Sequence, residues 1–73
     1  MYKDLNNKVV IITGGSGFFG SQLIKAYLKN NLNVINLDLT KQKIINKKLH
    51  YFKCNITSEK DLILNLKKIK KKI

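Results

Sequence analysis

Apolar residues fall along the chain in five groups, and their spacing changes from group to group. Lys8 to Thr13 carries the continuous run Val9-Val10-Ile11-Ile12. A run without alternation is how a strand buried on both faces of a parallel sheet reads. From Gly17 or Phe18 to about Asn30 the period becomes helical. Phe19, Leu23, Ile24, Tyr27 and Leu28 form one apolar face, with Ser21, Gln22, Lys25 and Lys29 toward water. Asn30-Asn31 ends this helix, because asparagine tolerates the left-handed conformation that closes many helices. Asn33 to Asp38 is the second strand, and Leu49 to Cys54, rich in aromatics, is the third. Between them Thr40 to Lys48 is polar around Ile44-Ile45 and reads either as a short, poor helix or as an irregular connection. Ser58-Glu59-Lys60-Asp61 starts the last helix, with a serine N-cap and two acids in the first turn. Leu62, Leu66, Ile69 and Ile73 continue on one face of it, with Ile63 beside them. Before the first strand, Leu5 is placed to tuck under it. The order β-α-β-(α)-β-α predicts an α/β fold with a parallel sheet, right-handed crossovers and strand order 3-2-1.

Composition bounds this picture. With 73 residues the chain is one small domain, and at this size roughly 60–65% of the unfolded surface is buried. One cysteine, Cys54, allows no internal disulfide, has no CxxC partner, and suits a reducing cytoplasm. The formal charge is +11, and all 15 basic residues are lysine. Nucleic-acid readers lean on arginine, and these lysines are spread along the chain, so nucleic acid is an unlikely main partner. Lys67, Lys68, Lys70, Lys71 and Lys72 repel one another, and residues 67–73 are expected to fray. No secretory signal is visible, and nothing approaches the ~20 apolar residues of a membrane span. His50, the sole histidine, has no second metal ligand beside it and reads as a sheet residue.

All four glycines lie within seven positions directly after the first strand, at Gly14, Gly15, Gly17 and Gly20. Strand, glycine-rich turn and helix form the context in which a GxGxxG match gains meaning. One glycine supplies positive φ, another lets the backbone approach a pyrophosphate, and Gly20, on the first turn of the helix, lets helix and strand pack closely. The N–H groups of Ser16, Gly17, Phe18 and Phe19 are then expected to face the anion at the positive end of the helix. Gly20 is followed by Ser21-Gln22, not by the Lys-Ser/Thr of a P-loop. Thr13 stands where an S-adenosylmethionine site would carry an acid. Asp38 closes the second strand 18 residues after Gly20, near the ~20 expected for the acid that binds a ribose. A carboxylate there favours NAD over NADP, with Lys41 and Lys43 close enough to soften the preference.

Thr13-Gly14-x-x-Gly17-x-x-Gly20 resembles the cofactor signature of the short-chain dehydrogenase/reductase superfamily, in the spacing of its extended, NAD-dependent epimerase/dehydratase branch. The resemblance runs through most of the chain. It implies the N-terminal half of a Rossmann-type, doubly wound fold over residues 1–73, with the ribose acid at Asp38. Cys54-Asn55-Ile56-Thr57-Ser58 is similar to the segment that follows strand three in the family, where an Asp-Val or Asp-Ile pair lies against the adenine. Here Asn55 replaces the acid beside Ile56, and its amide is expected to hydrogen-bond the adenine amino group.

The resemblance also implies a catalytic Tyr-x-x-x-Lys, which the chain lacks. Tyr2, Tyr27 and Tyr51 are followed four residues on by Asn6, Asn31 and Asn55. The chain therefore reads as the NAD-binding N-terminal segment of an oxidoreductase or epimerase acting on a sugar-nucleotide or small polar substrate. A non-catalytic nucleotide-binding or interaction module is the alternative, and a basic nucleic-acid binder a distant third. Without a fourth strand, residues 9–13 form an exposed apolar edge, expected to self-associate or to accept a complementing C-terminal fragment.

Overall fold

The computed structural model describes residues 8–72, so the expectations for Leu5 and Ile73 lie outside the described residues. Three parallel strands, β1 (Val9–Thr13), β2 (Asn33–Asp38) and β3 (Leu49–Lys53), form one sheet in the order β1-β2-β3. Val10 and Leu49 both lie opposite Val34, one on each side of the central strand. Helix α1 (Phe18–Lys29) joins β1 to β2, and α2 (Glu59–Lys72) follows β3.

Each face of the sheet carries a core. Ile12, Val34 and Leu49 pack with Ile24 of α1, flanked by Tyr27, Leu28 and Ile44. Ile35, Leu37 and Cys54 pack with Ile69 of α2, flanked by Val9, Phe52 and Leu62. Residues 34–37 are buried without a break, as expected of a middle strand covered on both sides.

Two expectations are corrected. In α1, Ile24, Tyr27 and Leu28 face the sheet, whereas Phe19 is 76% and Leu23 37% exposed. The sheet is only three strands wide among the described residues. In α2 the inward stripe is Leu62, Asn65 and Ile69, and Leu66 and Ile63 face outward. Asn65 can be buried because its Nδ2 donates to the Asp61 carbonyl at 2.9 Å and its side chain bonds the Cys54 thiol.

Of the two readings of the connection between β2 and β3, the irregular one holds, and no helix lies between these strands. Gln42 is buried and Ile44 packs against the core, while Lys41, Lys43 and Ile45 face solvent. That two-residue alternation suits an extended path and not a helix. At the end of α1, Asn31 adopts φ 63°, and the Asn30 side-chain amide donates to the Ala26 carbonyl at 2.8 Å. Helix α2 continues through the lysine run to Lys72. Among the described residues no helix is long and apolar enough to cross a membrane.

Candidate dinucleotide site

The glycine turn is held from below by the carboxyl end of β2. Gly14 sits at φ 69°, a conformation that glycine adopts without strain, and its N–H donates to the Leu37 carbonyl at 3.0 Å. The next N–H, of Gly15, donates to Asn36 Oδ1 at 2.8 Å. The next, of Ser16, donates to Asp38 Oδ2 at 3.0 Å. Three successive amides are therefore read by three successive residues of one strand.

Asn36 is the anchor of this arrangement. It is fully buried. Its Nδ2 donates to Gln42 Oε1 at 2.9 Å and to Ser16 Oγ at 3.2 Å. Gln42 Nε2 then donates to the Ile44 carbonyl at 3.3 Å, and the Ser16 hydroxyl donates to the Thr40 carbonyl. The network ties turn, strand and connection together with every buried side-chain polar atom among the described residues satisfied. Sequence reasoning passed over Asn36 and Gln42. The available signal was a polar residue inside the otherwise apolar Val34-Ile35-Asn36-Leu37, since a buried polar group is the informative exception.

The glycines divide the work differently from the expectation. A Cβ on Gly15 would overlap Asn36 Oδ1 and stand 2.7 Å from Ile24 Cδ1. One on Gly20 would overlap the Gly14 carbonyl oxygen and stand 2.8 Å from Gly15 Cα. Gly20 thus lets the helix sit on its own turn. A Cβ on Gly17 would meet only the Gly14 carbonyl oxygen, at an ordinary 3.6 Å. Nothing within the protein requires glycine there.

The set of amides facing an anion is also narrower than expected. The Ser16 N–H is engaged by Asp38, and that of Gly17 donates to the Gly14 carbonyl at 3.2 Å. Gly17 is the N-cap, with no side-chain cap and no acid in the first turn of α1. The first-turn N–H groups of Phe18, Phe19 and Gly20 have no intrahelical acceptor and so remain for a ligand. Phe18 is 83% exposed. The open helix start and the missing Cβ at Gly17 fit a pyrophosphate at this point.

Asp38 lies at the rim. Besides Ser16, its Oδ1 accepts from the Thr40 N–H at 3.2 Å. Burial pushes its carboxyl up, but the amides of Ser16, Thr40 and Leu39 and the Ser16 hydroxyl outweigh this and hold it below the ordinary 3.8. Tyr51 OH donates to the Asp38 carbonyl at 3.0 Å, and burial, then the Asp38 charge, push the phenol above 10.0. A cleft of about 130 Å³ opens beside Asp38, lined by Gly14, Leu37, Leu39, Cys54, Asn55, Ile56 and Thr57. Asp38, Asn55 and Ile56 thus meet around one cavity. A second cleft, of about 360 Å³, lies across Ser16 and Gly17 toward Lys25, Lys41 and Lys43.

The loop wall of the smaller cleft is fixed by α2. The Asn55 N–H donates to Asp61 Oδ2 at 2.7 Å, and the Asp61 N–H donates to Ser58 Oγ at 3.2 Å. Asn55 Oδ1 accepts from the Thr57 N–H at 3.1 Å and from Thr57 Oγ1 at 2.6 Å. Burial, then the Asp61 charge, raise the Cys54 thiol above 9.0 against a smaller opposing effect of Asn65. His50 stands on β3 opposite Ile35, and no group of three or more metal-ligating side chains occurs among the described residues.

The chain matches the family model described as NAD dependent epimerase/dehydratase family over residues 10–71. It is similar in structure to a short chain dehydrogenase from Leptospira borgpetersenii serovar Hardjo-bovis (strain JB197), solved with bound NAD+. The TM-score is 0.76 at 33% identity, and the match covers 88% of this chain and 27% of that one. No curated protein matches the chain.

Proposed function

The chain belongs to the NAD dependent epimerase/dehydratase family, and from that premise we propose that it binds a nicotinamide dinucleotide, NAD in preference to NADP. The observation that carries the reading is the uncapped start of α1 at Gly17, where the protein leaves a space that its own packing does not need. The pyrophosphate lies over the amides of Phe18, Phe19 and Gly20, with Ser16 and Gly17 beneath it. Gly14 and Asp38 border the ribose, and Asn55 and Ile56 border the base. The ionised Asp38 accepts from ribose hydroxyls and repels a 2′-phosphate. When bound, the nicotinamide supplies hydride transfer. The residues of this chain hold and orient the dinucleotide, and none of its three tyrosines has a lysine four positions on.

This chain spans 27% of the length of the dehydrogenase to which it is similar. We assign the whole activity, on a sugar-nucleotide or small polar substrate, to the chain together with a catalytic region. The β1 edge supports such a completion. Among the described residues β1 pairs only with β2, and Ile11 on it is 46% exposed. An apolar edge with unpaired N–H and C=O groups accepts a further strand, from a second copy or from a complementing segment.

Calorimetric titration of the protein with NAD and NADP tests the cofactor reading. NAD binding tighter than NADP is expected, with the difference shrinking in Asp38→Asn. Tighter NADP binding refutes the preference, and no binding of either refutes the function. A stable, soluble monomer on size-exclusion chromatography counts against the open edge.

A further inference from the structure

The base cleft carries a donor where the resemblance leads one to expect an acceptor. Asn55 follows β3, and its main chain is fixed twice: its N–H donates to Asp61 Oδ2, and its carbonyl accepts from the Ser58 N–H at 3.0 Å. Its side chain is fixed by Thr57. Because the Thr57 main-chain N–H can only donate, the atom facing it must be Oδ1. The Thr57 hydroxyl takes the same oxygen. An aspartate at 55 could give one oxygen to Thr57 and keep the other for a ligand. Asn55 gives Thr57 its only acceptor, and Nδ2, with two hydrogens, has no partner among the described residues, on a residue that lines the cleft of about 130 Å³.

Resting on the dinucleotide reading above, we propose that this cleft does not select a 6-amino purine and takes a 6-oxo purine at least as well. An adenine amino group set against Asn55 Nδ2 places donor against donor, so no hydrogen bond forms between them. A carbonyl oxygen at the same position of the base accepts from Nδ2. Rotating the Asn55 amide to serve adenine would break both Thr57 bonds and loosen the loop that Asp61 holds.

Nicotinamide hypoxanthine dinucleotide bears that carbonyl in place of the NAD amino group. Its affinity is compared with that of NAD by calorimetry, on the protein and on Asn55→Asp, which keeps an oxygen for Thr57. The wild type is expected to bind the hypoxanthine dinucleotide as tightly as NAD or more tightly, and Asn55→Asp to favour NAD by about tenfold, the scale of one hydrogen bond gained against one clash. A wild-type preference for NAD above about threefold, less than one net hydrogen bond, overturns the proposal while leaving dinucleotide binding intact. So does an unchanged ratio in a folded Asn55→Asp. Failure of both dinucleotides to bind overturns the dinucleotide reading and this proposal with it. The wild-type ratio alone decides the matter should the variant not fold.

Discussion

Alanine at position 17 and alanine at position 20 are expected to separate binding from stability. At Gly17 the backbone lies at φ −79° and ψ 172°, open to any L-residue, and the added methyl meets one oxygen at 3.6 Å. The change gains roughly 0.4–1 kcal/mol by stiffening the unfolded chain. It loses about 0.5–1 kcal/mol because alanine is a poorer N-cap than glycine. The two offset, and the urea midpoint stays close to that of the parent. At Gly20 the methyl would overlap the Gly14 carbonyl oxygen and lie 3.0 Å from the carbonyl carbon. These are backbone atoms, so α1 must shift as a unit. Overpacking against backbone belongs at the upper end, ~3 kcal/mol, against ~1 kcal/mol gained in helix propensity. The net loss of about 2 kcal/mol lowers the melting temperature by roughly 8–16 °C in a domain this small. For NAD the ranking of the two positions changes. On the proposed reading the methyl at position 17 takes up space assigned to the pyrophosphate, and calorimetry should show NAD affinity reduced by about tenfold or more, ~1.4 kcal/mol. A Gly17→Ala protein with an unchanged urea midpoint and unchanged NAD affinity refutes the cradle.

Other consequences follow from the same geometry. Asn36→Leu removes the partner of the Gly15 N–H and of Gln42 Oε1. Each buried orphan costs about 1–3 kcal/mol, so urea denaturation should show a clear loss, with NAD binding weakened as the turn loosens. An unchanged midpoint would contradict the anchoring role of Asn36. Asp38 is held below its unfolded value of 3.8 by hydrogen bonds that exceed the effect of burial. Its contribution to stability is therefore present above that value and lost as pH falls through the lower folded one. Asp38→Asn should flatten the stability profile in that acid window, and an identical profile would contradict the assignment. Cys54 is buried and its thiol is raised above 9.0. A thiol-specific reagent at pH 8 should react slowly with the native chain and quickly in urea, and fast native reaction would show the β3–α2 loop to be open.

The sequence alone determined the elements and the turn. The continuous apolar run at residues 9–12 and the run at 34–37 interrupted only by Asn36, with helical spacing between them, leave little choice but buried parallel strands and a crossover helix. Four glycines behind the first strand, and an acid at the end of the second, identify the turn by local chemistry. Such features are legible because each depends on residues close together in the chain. The sides presented by the helices were not. Phe19, Leu23 and Leu66 satisfy a helical period yet face outward, because which part of a wide apolar arc is covered depends on the width of the sheet beneath it. Nor could spacing show that Asn36, 21 residues from Gly15, fills the space under the turn. The partner of a buried polar atom is set by which strands lie side by side. The same holds for Asn55. Its identity is written in the sequence, but which of its two amide atoms remains for a ligand was decided by the Thr57 N–H that folding brought against it.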